Sequence, residues 1–277
     1  MKILITGADG MLGTDVQEVL KDEEIISTDV DTLDITNKEQ TIETIKNLNP
    51  DIVINTAAFT DVDGCESNKD LAFKINAIGP ENLAIACKEI DSPLLHISTD
   101  YIFNGQNDKP WVETDKTGPI SVYGETKLQG ELAIEKNLDK FFIIRTAWLY
   151  GLNGPSFPKT MLELAKNNNE ISVVDDQVGS PTYTKDLALA ISQLIKTDLY
   201  GIYHITNSDY CSWYDYAKLI FKLKNIDVDV KPVTTEEFPR PAPRPKFSVL
   251  ANTNWEKNFK PLRSYKDAIA EFLNFLK

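Results

Sequence analysis

Residues 1–16, "MKILITGADGMLGTDV", decide the fold. "KILIT" at 2–6 is a short apolar run, the pattern of a strand buried on both faces. Glycines follow at positions 7, 10 and 13, and an amphipathic stretch follows them. Strand, glycine turn and helix in that order open a dinucleotide-binding unit. Gly7 permits the tight turn, Gly10 lets the backbone approach a pyrophosphate, and Gly13 lets the helix pack on the strand. The helix N-terminus then offers free N–H groups to the phosphates. The competing reading, a plain strand-to-helix turn, lacks a reason for three glycines in this spacing.

The rest of the chain extends that opening. "EIIST" (24–28), "DIVIN" (51–55), "PLLHIS" (93–98) and "FFIIRT" (141–146) read as further strands buried on both faces, with helices over 11–21, 37–48, 68–89 and 121–136 between them. This alternation predicts an α/β fold, a Rossmann-type doubly wound parallel sheet with right-handed crossovers and its ligands at the carboxyl ends of the strands. Beyond residue 150 the rhythm loosens. Helices are expected near 157–168, 184–196, 213–223 and 264–276, around a proline-rich stretch, "FPRPAPRP" (238–245). Residues 1–150 therefore read as the dinucleotide-binding domain, with part of 171–205 returning to it, and 151–277 as mainly a smaller α/β substrate lobe.

Totals narrow the function classes. The 277 residues carry a net charge of −13, which disfavours nucleic acid and anionic membranes as partners. No apolar run reaches the roughly 18 residues of a membrane span, and a strand begins at residue 2, so no leader is expected and a cytoplasmic location is. Cys65, Cys87 and Cys211 are scattered and odd in number, and read as free thiols, with no metal site among them. An anionic substrate needs a local basic patch here, and Arg240, Arg244 and Lys246 supply one in the proline-rich stretch. The alternative for that stretch is a stiff surface linker.

Asp29 ends the second strand, 22 residues past Gly7. A carboxylate there suits the 2′-hydroxyl of an adenosine ribose and repels a 2′-phosphate, so among NADH and NADPH it favours NADH. Asp31 and Asp34 compete for the role, and Lys21 is the one cation near enough to favour NADPH. Asp34 and Ile35 are placed to flank an adenine. Ala57 and Ala58, in "NTAAFT" (55–60), are small enough for a cofactor to lie on the third strand's end, or for tight packing alone.

"HISTDYIFNG" (96–105) stacks two hydroxyls, an acid and two aromatics at the end of the fourth strand. A hydroxyl from Ser98 or Thr99 can hydrogen-bond a carbonyl oxygen as negative charge develops on it. Otherwise the pair only caps a strand end. "SVYGETK" (121–127) sets Tyr123 and Lys127 four apart at the start of a helix, on one face. A phenol has an ordinary pKa of about 10, and a neighbouring ammonium lowers it into a useful range. A Tyr-x-x-x-Lys pair by itself is common on exposed helices. With a glycine loop and a hydroxyl pair upstream it reads as a carbonyl-reducing site.

The motifs "TGADGMLG", "NTAAFTDVDGCE", "STDYIFNG", "VYGETKLQGE", "RTAWLYG", "DQVGSPTYT" and "APRPKFSVL" run in order through nearly the whole chain. Together they resemble the extended short-chain dehydrogenase/reductase family, and within it the dTDP-4-dehydrorhamnose reductases. The resemblance implies NAD(P)H-dependent reduction of the C4 keto group of a dTDP-sugar. It implies a catalytic trio of Thr99, Tyr123 and Lys127, with Tyr123 the proton donor. Gly10, Met11 and Leu12 match the pyrophosphate loop, Asp29 the ribose contact, and Asp34 with Ile35 the adenine side. Ala58, Phe59 and Thr60 match further cofactor contacts. Thr99, Asp100, Tyr123 and Trp148 match substrate contacts, and Arg244 is added to them from its charge. The family's metal-bridged dimer uses acids where this chain has Lys185 and the shorter Asp15. An ammonium cannot ligate a cation, so a metal-free monomer is expected. Two alternatives stay open: a sugar-nucleotide epimerase or dehydratase on the same scaffold, and a non-catalytic dinucleotide-binding subunit resembling methionine adenosyltransferase subunit beta.

Overall fold

A computed structural model describes residues 1–276. Strands β1 (Lys2–Thr6), β2 (Glu24–Thr28), β3 (Ile52–Asn55), β4 (Leu94–Thr99) and β5 (Phe141–Thr146) form where the apolar runs lie. Then come β6 (Leu149–Tyr150), β7 (Glu170–Val174), β8 (Val178–Gly179), β9 (Thr182–Tyr183), β10 (Gly201–His204), β11 (Cys211–Ser212) and β12 (Asp229–Val233). The helices are α1 (Met11–Val19), α2 (Lys38–Leu48), α3 (Val62–Ser67), α4 (Lys69–Phe73), α5 (Gly79–Glu89), α6 (Val122–Asn137), α7 (Phe157–Ala165), α8 (Thr184–Leu194), α9 (Trp213–Lys224), α10 (Thr253–Glu256) and α11 (Tyr265–Phe275).

One parallel sheet runs in the order β10-β5-β4-β3-β1-β2. From β1 the chain winds first to β2 on one side, then to β3, β4 and β5 on the other. The direction of winding reverses after β2, so the crevice at the carboxyl ends opens between the neighbouring strands β1 and β3. Alternation along each strand builds two cores. Ile3, Ile5, Ile54 and Phe142 face α1 and α8, whereas Leu4, Val53, Leu94 and Ile143 face α2, α5 and α6. Burying each such side chain contributes about 1.5–3 kcal/mol, so the sheet is rigid where its ends must hold a site.

Two local expectations change, and one alternative falls away. β2 is not buried on both faces: Glu24 and Ser27 are exposed, because β2 is the sheet's edge. The helix expected over 68–89 is divided by a π turn, Lys74–Ile78, between α4 and α5. That turn aims Asn76 at the loop after β3, where its Oδ1 accepts from the Phe59 N–H at 2.8 Å and its Nδ2 donates to the Phe59 carbonyl at 3.0 Å. The proline-rich stretch is not a linker. Asp63, in α3, accepts from Arg240 Nη2 and Arg244 Nη1, both at 2.6 Å, and from the Ala242 N–H at 3.0 Å. These bonds hold the Asp63 carboxyl far below the usual range against the opposing effect of burial.

The C-terminal half divides its loyalties. Within 171–205, α8 packs on α1 and β10 extends the main sheet beside β5. β7 instead pairs with β12, and α7, α9 and α11 surround a separate core containing Ile171, Val173, Ile220 and Phe272. Among the described residues no helix is long and apolar enough to cross a membrane.

The turn from β1 to α1 leaves no room for side chains. A Cβ at Gly13 would lie 2.4 Å from the Gly7 carbonyl oxygen and 2.8 Å from that of Ala8. Backbone would have to move, and overpacking of this kind costs about 1–3 kcal/mol. Gly13→Ala is expected to lower Tm by several degrees in scanning calorimetry; an unchanged Tm would mean that α1 swings away without penalty.

Candidate active site

A cleft of about 470 Å³ opens at the carboxyl ends of β1, β3, β4 and β5. Its floor is the turn after β1. Gly7 has φ +68°, and a Cβ there would meet Ala57 N at 2.6 Å. Gly10 precedes α1 in extended conformation with no side-chain cap, so the first N–H groups of α1 are left for a ligand. The donors and the bare backbone fit a dinucleotide's diphosphate. Gly10, Met11, Leu12 and Gly13 line the cleft, with Ala58 and Thr60 from the loop after β3.

Asp29, Asp34, Ile35, Ala57 and Phe59 stand outside that lining, as does Gly7. Asp29 closes the rim beyond the glycine turn: its Oδ2 accepts from the Asp9 N–H at 3.2 Å and its Oδ1 from the Val30 N–H at 2.8 Å. Asp34 instead bonds Thr36, and Ile35 is buried against Gly79. Lys21 pairs with Glu18 on the exposed surface. Phe59 is tied through its backbone to Asn76, and the Ala57 N–H donates to Asn55 Oδ1.

The opposite wall carries the chemistry. Thr99, Asp100, Tyr123, Lys127 and Trp148 all line it. Helix α6 starts where Ser121 Oγ accepts from the Gly124 N–H at 3.2 Å and Glu66 Oε1 accepts from the Val122 N–H at 2.8 Å. A Cβ at Gly124 would lie 2.2 Å from the Tyr101 carbonyl oxygen. That close approach sets the Tyr123 phenol beside the end of β4. Tyr101 meets the Tyr123 ring edge-on at 5.6 Å.

The two hydroxyls of "HIST" separate. Successive strand residues point to opposite faces, and Ser98 Oγ donates to Glu131, which is itself paired with Arg145 at 2.7 Å in the interior. Ser98 is thereby occupied in the core. Both residues border the cleft, but the Ser98 hydroxyl is taken by Glu131; the Thr99 Oγ1 accepts from the Tyr101 N–H at 3.2 Å and donates to Asp100 Oδ1 at 3.1 Å.

Charge states differ from the simplest expectation. Burial pushes the Tyr123 phenol well up, the Thr99 hydroxyl opposes that, and the Asp100 charge adds to it. Burial likewise pulls Lys127 down to about 8, opposed by Glu131. Lys127 does not hold its charge against the phenol: Nζ donates to the Ile97 carbonyl at 2.6 Å and meets His96 Nε2 at 3.2 Å. Burial raises Asp100 to about 6, against hydrogen bonds from Ser248 and Thr99.

Arg244 lines a second cavity, of about 460 Å³, with Arg240, Phe157 and Met161. Tyr101 and Trp213 border both cavities, so the two adjoin. Trp213 was not visible as a site residue, because nothing in its helix distinguishes it. It stacks on Trp148 with ring centroids 3.3 Å apart and planes 5° apart. His96, Asn55, Glu66 and Thr56 were also missed; each acts on the site through a partner distant in sequence. At the positions considered for a metal, Lys185 pairs with Glu271 at 2.9 Å and Asp15 bonds Thr184. Among the described residues no cluster of three His, Cys, Asp or Glu side chains is placed to hold a metal.

A Rossmann sheet, a bare glycine cradle and a Thr–Tyr–Lys wall define a nicotinamide-dinucleotide-dependent oxidoreductase of the short-chain dehydrogenase/reductase type. The chain belongs to the RmlD substrate binding domain family, whose model matches residues 1–277. It is 41% identical over 274 residues to the spore coat polysaccharide biosynthesis protein SpsK of Bacillus subtilis strain 168, covering 98% of this chain and 96% of that one. The crystal structure of a dTDP-4-dehydrorhamnose reductase from Clostridium acetobutylicum superimposes with a TM-score of 0.98 at 49% identity, over 100% of this chain and 99% of that one. A dTDP-4-dehydrorhamnose reductase from Bacillus anthracis in complex with NADP gives 0.96 at 43% identity, over 99% of each chain.

The position of Asp29 beside the glycine turn makes cofactor choice testable. NADH is expected to give the higher kcat/KM, and Asp29→Ala to narrow the gap to NADPH. A clear NADPH preference that survives Asp29→Ala would make this acid a bystander.

Proposed function

We propose that this chain reduces the C4 keto group of dTDP-4-dehydro-L-rhamnose to give dTDP-L-rhamnose. The observation that carries the reading is the meeting of Thr99, Tyr123 and Lys127 across one cleft from the glycine cradle. NADH or NADPH, when bound, supplies the hydride. Gly10, Met11, Leu12 and Gly13 hold its diphosphate, with Gly7 setting the turn. Asp29 takes the ribose, Asp34 and Ile35 flank the adenine, and Ala57, Ala58, Phe59 and Thr60 form the remaining contacts.

The Thr99 hydroxyl donates to the carbonyl oxygen as charge grows on it, and Tyr123 delivers the proton that completes the alcohol. Lys127 orients the nicotinamide ribose. Asp100 binds a sugar hydroxyl, and Trp148 offers the apolar face of its indole to the ring. Arg244, steadied by Asp63, meets the diphosphate of the dTDP-sugar with a planar pair of donors. In this reading 1–150, with part of 171–205, binds the cofactor, and 151–277 mainly the sugar nucleotide. A cytoplasmic monomer without metal belongs to the same reading. The free, buried Cys65, Cys87 and Cys211 and the Lys185–Glu271 pair support it.

The deciding assay is oxidation of NADH or NADPH by dTDP-4-dehydro-L-rhamnose. One cofactor oxidised per sugar is expected. An epimerase would consume none, and a regulatory subunit would turn nothing over.

Tyr123→Phe is expected to lower kcat about 10²–10⁴-fold while dinucleotide affinity, by calorimetry, stays close to wild type. A kcat within threefold of wild type would remove Tyr123 as donor. Arg244→Ala is expected to raise KM for the dTDP-sugar at least tenfold, about 1.4 kcal/mol, with KM for NADH nearly unchanged. Equal KM values for the sugar in both proteins would take Arg244 out of the site.

A further inference from the structure

The sugar-binding role of Trp148 needs a free face on its indole, and at rest neither face is free. Trp213 covers one, with ring centroids 3.3 Å apart and planes 5° apart. Gly179 covers the other. A Cβ built on Gly179 would lie nearest to Cε2 of Trp148, with Nε1 and Cζ2, the atoms on either side of it, at 2.6 and 2.7 Å. Off the ring's edge those two outer atoms would be the nearer ones, so the main chain of Gly179 lies over the ring. A stacked ring and a main chain cannot share one face, so they take opposite faces.

Both covers come from one ribbon. β8 pairs antiparallel with β11, Gly179 stands opposite Cys211, and Trp213 follows β11 as the first residue of α9. They differ in freedom. Gly179 is main chain within a strand. Trp148 itself has φ +47°, a region that bulky residues seldom enter, and its carbonyl accepts from the Thr182 N–H at 3.2 Å. Trp213 covers its face with a side chain alone. It is only partly buried, and it borders both cavities, so unfilled space lies on either side of it. Phe157 and Tyr216 meet its ring tilted, at 4.5 and 6.5 Å. Its stack on Trp148 is nearly face to face, the arrangement that ring quadrupoles favour least. Shelter from water holds such a pair together, and another apolar surface can supply the same shelter.

A dTDP-sugar has to cross this boundary. Its C4 carbonyl belongs with Thr99 and Tyr123 in the cleft, and its diphosphate with Arg244 in the second cavity. We propose that Trp213 is a displaceable cover: at rest it closes the face of Trp148, and the hexose of the dTDP-sugar takes its place as the two cavities are joined. The proposal rests on the sugar-nucleotide reading above and adds to it a specificity step. A nucleotide without the hexose occupies the second cavity and leaves the stack closed. The hexose opens it, because its apolar face replaces the one that Trp148 gives up.

The chain has four tryptophans, which supplies both reporters and references. Trp111 stacks on Phe103 and Trp255 on Phe259, away from the pair. Fluorine NMR of protein labelled with 5-fluorotryptophan resolves the four indoles, and single Trp→Phe variants assign them. In the free protein, Trp213→Ala should move the Trp148 resonance, by loss of the neighbouring ring current, and leave those of Trp111 and Trp255 in place. In the wild type, saturating dTDP-L-rhamnose should move the Trp213 resonance and give it the H2O/D2O isotope shift of an exposed ring, whereas saturating dTDP should do neither. By calorimetry, Trp213→Ala should bind dTDP-L-rhamnose about threefold tighter or more, with the affinity for dTDP unchanged.

A Trp148 resonance indifferent to Trp213→Ala would overturn the resting stack, and the inference with it. So would a Trp213 resonance that dTDP moves as far as dTDP-L-rhamnose does. Equal or weaker binding of dTDP-L-rhamnose by Trp213→Ala would make Trp213 a bystander or a direct contact, not a cover. If dTDP-L-rhamnose binds the wild type while Trp213 stays unmoved, the inference falls and the sugar-nucleotide reading stands. If neither dTDP nor dTDP-L-rhamnose gives any heat, that reading falls and the inference falls with it.

Discussion

The site depends on how closely two turns can approach. Gly7 lies against the backbone of Thr56 and Ala57, and Gly13 against the carbonyls of Gly7 and Ala8. No side chain fits between them. With that contact made, α1 points its N-terminus over the carboxyl end of the sheet, and the loop after β3 lies beside it. The reversal of winding after β2 opens the crevice between β1 and β3. Gly124 performs the same service on the far wall, where α6 touches the turn after β4. The reactive groups are thus fixed by backbone contacts that glycine alone allows.

Much of this was legible because it is local. Strands β1 to β5 show as apolar runs, the glycine loop and Thr99 sit at the ends of β1 and β4, and Tyr123 and Lys127 share the start of α6. What the chain hid depends on partners far away in sequence. Ser98 looked equivalent to Thr99 until Glu131 and Arg145 claimed it. The Tyr–Lys spacing was plain, yet the direction of the lysine was not, since His96 and the Ile97 carbonyl draw Nζ away from the phenol. β10 is four residues long and carries no strong pattern, but it completes the sheet. The proline-rich stretch read as a basic patch with a surface linker as its alternative, and the partner that holds it, Asp63, lies far away in sequence.

Buried polarity is unevenly distributed around the cleft. On one side the Glu131–Arg145 pair is almost fully enclosed, and Arg145 also donates to the Glu113 carbonyl at 3.1 Å. Glu113 in turn accepts from the His204 and Asn254 backbone N–H groups, at 3.1 and 2.9 Å. A buried ion pair adds little net stability, but removing one member is costly. Here it joins β4, β5, α6, β10 and α10 through directional bonds. The end of β4, and with it Thr99, has few ways to shift.

The π turn at Lys74–Ile78 has a consequence for how this sequence can vary in length. A single residue fewer would restore an unbroken α-helix from α4 into α5. The wider turn absorbs that residue, so the flanking helices would keep their phase and the loss would fall on the bulge itself. Asn76 would no longer bracket the Phe59 peptide group or reach Thr126 Oγ1 at 3.2 Å. Its own carbonyl oxygen, 2.3 Å from where a Cβ would stand on Gly130, would leave α6 as well. Point substitutions on the exposed face of this segment are cheap, but an indel within it uncouples the loop after β3 from α6. Length there is under tighter restraint than composition.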